Sequence, residues 1–230
     1  MELALASHGS AEYSEVNVQP ALFADVTSAI QHSKITGAQA RSSAGAFPLT
    51  RKINSGGDAA LWDQWCKHIE NAAVRSGYSK SRIAGLLGAL GELQDNIIEH
   101  SGKPSTGLVA YGITAEVFEF VVADSGIGVL ASLRQNPEFA GLPDSGRALL
   151  AAISDGASRY DRSTGHGFGI SRLFRSLANE YGELRFRSGD YALKIWGDTP
   201  SVAGQFQLSQ KAWLAGLTIS VRYTRNHAAT

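Results

Sequence analysis

Apolar residues recur at helical spacing in three stretches of the chain. In Pro20–His32, Leu22, Phe23, Val26 and Ile30 fall three or four apart and predict a short helix. Ser55-Gly-Gly-Asp58 reads as a turn with an N-cap. After it, Trp62, Trp65, Cys66, Ile69 and Ala73 share one helical face, and Gly77 stands where a C-cap belongs. The next helix starts at Ser79 or Ser81 and carries Ile83, Leu86, Leu87, Leu90, Leu93 and Ile97 as its stripe. It ends at Ser101-Gly102, before Pro104.

The period then changes to two. Gly107–Ile113 and Glu116–Ala123 read as strands of an antiparallel hairpin turning at Thr114-Ala115; Phe118, Phe120 and Val122 alternate with Glu119 and Val121. Ala46–Ile53 reads as a further short strand, its Pro48 suited to an edge. Residues 129–164 form a long connection with a helix at Asp144–Asp155, a length typical of a functional lid or of a poorly ordered segment. A helix over Ile170–Tyr181 follows, then strands at Glu183–Ser188, Tyr191–Trp196 and Leu217–Tyr223, with residues 197–213 as a loop or hairpin excursion. This order predicts an α+β fold, a two-layer sandwich of one sheet with helices on one face. Residues 1–44 are set apart as an N-terminal extension of unassigned role, 45–225 as the main domain and 226–230 as a tail.

Composition removes several classes. Of 230 residues 43% are hydrophobic and 18% charged, which is globular rather than disordered. Twenty-one basic and 21 acidic residues cancel, so no bulk field draws the chain to nucleic acid or to an acidic membrane. Cys66 is the single cysteine, which excludes a disulfide framework and suits a reducing compartment. The first residues lack the basic and apolar regions of a secretory leader. No apolar run approaches the roughly 20 residues of a spanning helix. A soluble, cytoplasmic protein is expected.

Polar and glycine residues interrupt element ends in three places. Glu92, Asn96 and His100 are four apart and form one stripe of a helix. An Asn carbonyl is a hard donor suited to Mg²⁺ that keeps waters and phosphate ligands, and a carboxylate one turn away can deprotonate a water or hydroxyl. A solvated helix face explains the same stripe without chemistry. Asp124-Ser-Gly126-Ile-Gly128 ends a strand; its acid can accept from an exocyclic amine while the glycines let the backbone approach a flat ring. An ordinary strand-ending turn has the same composition. Gly165-His-Gly167-Phe-Gly169 precedes a helix and offers backbone N–H groups to a phosphate. No strand reads directly before it, which excludes the dinucleotide fingerprint, and no G-x-x-x-x-G-K-[ST] occurs.

In this order and spacing the three segments resemble the N, G1 and G2 boxes of the GHKL ATP-binding superfamily, over roughly residues 45–225. The resemblance implies the Bergerat fold, a mixed sheet with ATP held between helices and lid. It also implies roles. Asp124 would bind the adenine amine, Asn96 would hold Mg²⁺ against the phosphates, and Gly126 and Gly128 would line the nucleotide. Gly165, Gly167 and Gly169 would reach the phosphates, and Glu92 matches the catalytic carboxylate.

His100 stands where histidine kinases usually carry a basic residue. The layout there, and the short opening, resemble bacterial anti-sigma-factor serine kinases, whose partners are small STAS-like proteins. The six histidines are followed by Gly9, Ser33, Ile69, Ser101, Gly167 and Ala228, and none resembles a phosphoacceptor site. Three functions therefore stand side by side: an ATP-dependent serine/threonine kinase, a nucleotide-gated binding module or ATPase switch, and a histidine-kinase-like domain acting on a separate protein. A homodimer is one assembly the resemblance allows. Many members carry Gly-Thr in the last strand, the Thr supporting the adenine-binding Asp. Here the strand reads Gly216-Leu-Thr218, so either Thr218 is displaced by one or Leu217 takes its place.

Overall fold

The structure, a computed structural model, describes residues 20–49, 57–153, 182–197 and 206–225. Along the chain run α1 (Pro20–Thr36), β1 (Gln39–Ala40), β2 (Ala44–Pro48), α2 (Gly57–Arg75), α3 (Lys80–His100), β3 (Leu108–Ile113) and β4 (Val117–Ala123). Then come α4 (Gly128–Leu133), α5 (Ser145–Ile153), β5 (Gly182–Gly197) and β6 (Phe206–Thr224). The six strands form one sheet in the order β1-β2-β3-β4-β6-β5. The fold is α+β, as the sequence predicts. Every pairing among the described strands is antiparallel, so the mixture of parallel and antiparallel pairs that the resemblance implies is not seen there.

The helices end and the hairpin turns where local chemistry dictates. At the end of α2, Gly77 takes φ 91°. Its N–H donates to the Val74 carbonyl at 3.0 Å and that of Tyr78 to Ala73 at 3.1 Å, the paired bonds that close a helix on a left-handed residue. In the β3–β4 turn, Thr114 Oγ1 accepts from the N–H groups of Glu116 and Val117 at 3.2 and 3.0 Å. The hydroxyl thus satisfies donors that the ladder leaves open.

Strand alternation sorts the sheet into two faces. Phe118, Phe120 and Val122 of β4 point to one side with Val109 and Tyr111 of β3, and there they meet α2 to α5 in the main core. Ile83, Leu86, Leu90, Leu93 and Ile97 of the α3 stripe are buried against this side. Trp65 is 4% exposed, stacks on Trp62 and meets Phe47 and Tyr111 edge-on, so this pair belongs to the core. Each such side chain taken from water contributes roughly 1.5–3 kcal/mol.

The reverse face is also covered. Val26, Ala29 and Ile30 of α1 pack on Ala44, Ala46, Leu108, Ala110 and Val121, where alanines let the helix come close. Ser43 Oγ donates to Asp25 Oδ2 at 2.8 Å. The expected placement of helices on one face therefore describes α2 to α5, and α1 adds a layer behind β2 and β3. Residues 20–44, separated by the sequence into an extension, supply that helix, β1 and the first residue of β2.

β5 is not straight. Glu183 and Lys194 are eleven residues apart, on the order of 36 Å in an extended strand, yet their side chains form an ion pair at 2.7 Å. The chain turns back at Gly189, whose φ is 61° and where the register shifts. The two arms correspond to the predicted strands Glu183–Ser188 and Tyr191–Trp196. β6 follows both: Leu217–Tyr223 pairs with Gly182–Ser188, and Phe206–Gln210 pairs with Tyr191–Ile195. Residues 206–213, expected in a loop or hairpin excursion, are thus strand. None of residues 206–213 is buried, so no apolar alternation marks them as strand in the sequence.

Candidate functional site

Asp124 follows the last residue of β4 and continues its alternation onto the helix-covered side. Its backbone N–H donates to the Leu217 carbonyl at 2.9 Å, and Oδ1 accepts from the Gly126 N–H at 2.7 Å. The residue is 7% exposed. Burial pushes its carboxyl up to about 6, against the pull of the Gly126 and Leu217 backbone groups. At neutral pH the group is still ionised: a buried anion with few partners, able to accept from an amino group.

The glycines around it are required by space. A Cβ at Gly126 would run into the Ser101 carbonyl and lie 2.8 Å from Asp124 Oδ1. Gly128 has φ 75°, and a Cβ there would lie 2.8 Å from Ser188 Oγ. Gly216, also at φ 75°, abuts Asp124 so closely that a Cβ would strike the Asp124 carbonyl and lie 2.6 Å from Oδ1. The corner beside the carboxylate is lined by backbone because nothing larger fits. Gly126 and Gly128 are named from the sequence; Gly216 as a site residue is not. Its signal is a glycine just before a strand of β-formers, the mark of a close backbone approach.

Hydrogen bonds fasten this loop on two sides. The Ile127 N–H donates to the Ser101 carbonyl at 2.9 Å, and the Ser125 N–H donates to Thr106 Oγ1 at 3.0 Å. These bonds tie the loop to the turn that leaves α3, one residue beyond His100. On the other side the Val129 N–H donates to Ser188 Oγ at 3.0 Å, and that hydroxyl donates to the Gly216 carbonyl at 2.7 Å. Ser101, Thr106 and Ser188 carry no signal in the sequence, since their roles depend on contacts distant along the chain.

Asn96 and Glu92 lie one turn apart on α3. Asn96 Nδ2 donates to the Glu92 carbonyl at 2.9 Å, which leaves Oδ1, without a partner among the described residues, as the atom free to ligate. Asn96 is half-buried and Glu92 exposed. Asp95, beside Asn96, has its carboxyl raised by burial and then by the charge of Glu99. His100 Nε2 lies 3.8 Å from Glu99 Oε2 in the last turn. A single neutral carbonyl is too small a donor set to hold Mg²⁺ alone. It suits an ion whose remaining ligands are waters and phosphate oxygens.

The α3 turn therefore brings two of the three predicted segments, Glu92–His100 and Asp124–Gly128, onto one connected frame. Gly165, Gly167 and Gly169 lie outside the described residues, as does His166 between them. The register also decides between Thr218 and Leu217. Thr218 pairs with Ala123 and so shares the face that points away from Asp124, whereas Leu217 lies beside Asp124 and supports it through the backbone. No helix among the described residues is long and apolar enough to cross a membrane. Comparisons with family models, curated proteins and solved structures find no match to this chain.

Proposed function

We propose that the chain binds Mg²⁺-ATP at the Asp124 corner and is a cytoplasmic signalling protein of the GHKL type. Its activity is that of an ATP-dependent serine/threonine kinase of the anti-sigma class, acting on a small STAS-like partner. The observation that carries the reading is the buried Asp124 carboxyl at a strand end where Gly126, Gly128 and Gly216 leave only backbone. A carboxylate held there can accept the exocyclic amine of a flat base.

The residues present fit both ligands. Asp124 accepts the amine hydrogen bond, and the glycines let the loop close on Ser101, Ser188 and Asp124 itself, where any Cβ would collide. Asn96 Oδ1 is the chain's ligand to Mg²⁺, which when bound neutralises charge on the phosphates. Gly165, Gly167 and Gly169 are assigned to the phosphates by sequence alone. In the transfer, a hydroxyl oxygen of the partner bonds to the terminal phosphorus, the bond to the bridging oxygen breaks, and ADP leaves. Glu92, one turn from Asn96, takes the hydroxyl proton.

Calorimetry with Mg²⁺-ATP tests the site. Wild type is expected to bind, Asp124→Asn to lose binding, and Asn96→Ala to bind weakly or without regard to Mg²⁺. Folded wild type that binds no ATP would refute the reading and leave a scaffold for protein contacts. ATP binding without phosphate transfer to any partner would favour a nucleotide-gated module, and acid-labile phosphate on a partner would favour the histidine-kinase-like alternative.

A further inference from the structure

We infer that Ser188 is a positioning residue for adenine recognition, acting through Gly216 on Asp124. This deepens the proposed nucleotide reading and rests on it. Ser188 sits where β5 turns back and is 2% exposed. Its hydroxyl is used twice: it accepts from the Val129 N–H at the start of α4 and donates to the Gly216 carbonyl in β6. One side chain thus joins the exit of the Asp124–Gly128 loop to the glycine that abuts the Asp124 carboxylate.

Packing around this bridge is tight. Gly128 and Gly216 both hold left-handed conformations, and a Cβ on Gly128 would lie 2.8 Å from Ser188 Oγ and 3.1 Å from the Gly216 carbonyl. A glycine is the residue most free to leave a strained conformation, so something must hold Gly216 against Asp124. The Ser188 hydroxyl does so. Without it the Gly216 carbonyl and the Val129 N–H are left unpaired in a dry site, and both segments shift to find partners. The carboxylate then loses the wall that fixes its direction. The damage falls on the contact that reads the base and spares the phosphate end.

The test compares ADP with IDP, which lacks the exocyclic amine, in wild type, Ser188→Ala and Ser188→Thr, with folding checked by circular dichroism. Wild type is expected to prefer ADP. In Ser188→Ala the ADP Kd should rise about tenfold with IDP little changed, so that the preference collapses; a buried polar contact read by the site is worth about that factor or more. Ser188→Thr, which keeps the hydroxyl, should keep the preference. If Ser188→Ala does not fold, Ser188→Cys, a weaker and longer donor, supplies the ratio and should lower it. A preference unchanged in Ser188→Ala or Ser188→Cys beside a discriminating wild type would overturn the role of Ser188 and leave the nucleotide reading standing. A folded wild type that binds neither nucleotide, or both equally, would overturn both.

Discussion

Asp124→Asn should separate stability from function, and pH should expose the cause. The carboxyl is raised from an ordinary 3.8 to about 6 by burial. Between those values the folded chain holds a proton that the unfolded chain has released. Its contribution to stability is therefore greatest below about pH 4, falls as pH rises, and levels off above about pH 6. Over the whole window that rise corresponds to about 3 kcal/mol. The amide introduced by Asp124→Asn is never charged, and its oxygen can still accept from the Gly126 N–H, so the variant escapes this penalty. All other titrating groups cancel in the difference between the two proteins. Urea unfolding of both should show the variant gaining on wild type by about 2 kcal/mol between about pH 4.5 and pH 7.5. The same substitution replaces an acceptor lone pair with an N–H facing the base amine, so ATP binding should fail as stability rises. A stability difference flat to within about 0.5 kcal/mol across this range would mean a wet corner and an ordinary carboxyl, and the argument from burial would fall.

Other substitutions probe the remaining parts. Glu92→Gln should keep ATP affinity within about twofold and lower turnover by roughly 10²–10⁴, the usual contribution of a general base, measured by phosphate transfer or release. Gly126→Ala should cost about 1–3 kcal/mol from overpacking against the Ser101 carbonyl and abolish nucleotide binding, as read by chemical unfolding and calorimetry. Ile30→Ala should destabilise the whole chain by about 2–4 kcal/mol in one unfolding transition, because α1 is part of the sheet's cover; a separate early transition, or no change, would restore the view of an independent N-terminal extension.

Much of the fold is legible in the sequence because its period is clean. The α3 stripe and the β3–β4 hairpin place their apolar residues at the spacing that helix and strand geometry demand. The bent β5–β6 arms are half legible: the two arms of β5 read as strands, but the first part of β6 carries polar residues toward water. α1 is visible as a helix, yet nothing in a single amphipathic segment states which sheet face it will cover. The same division governs the site. Asp124 and the glycines that follow it can be named from sequence because strand end, acid and small residues are adjacent in the chain. Ser101, Thr106 and Ser188 cannot, because each matters through a contact with a segment distant in sequence. The Leu217–Thr218 question shows why such cases need coordinates. Shifting the register by one residue moves a side chain to the opposite face, so the difference between Thr218 beneath the carboxylate and Thr218 behind the sheet is a single pairing. With Ala123 opposite Thr218, no hydroxyl of Thr218 is available to Asp124. The support falls to backbone groups of Gly126 and Leu217 and to the Gly216 that Ser188 holds in place. Strand register thus transfers to Ser188 the orienting duty that the resemblance gives to threonine.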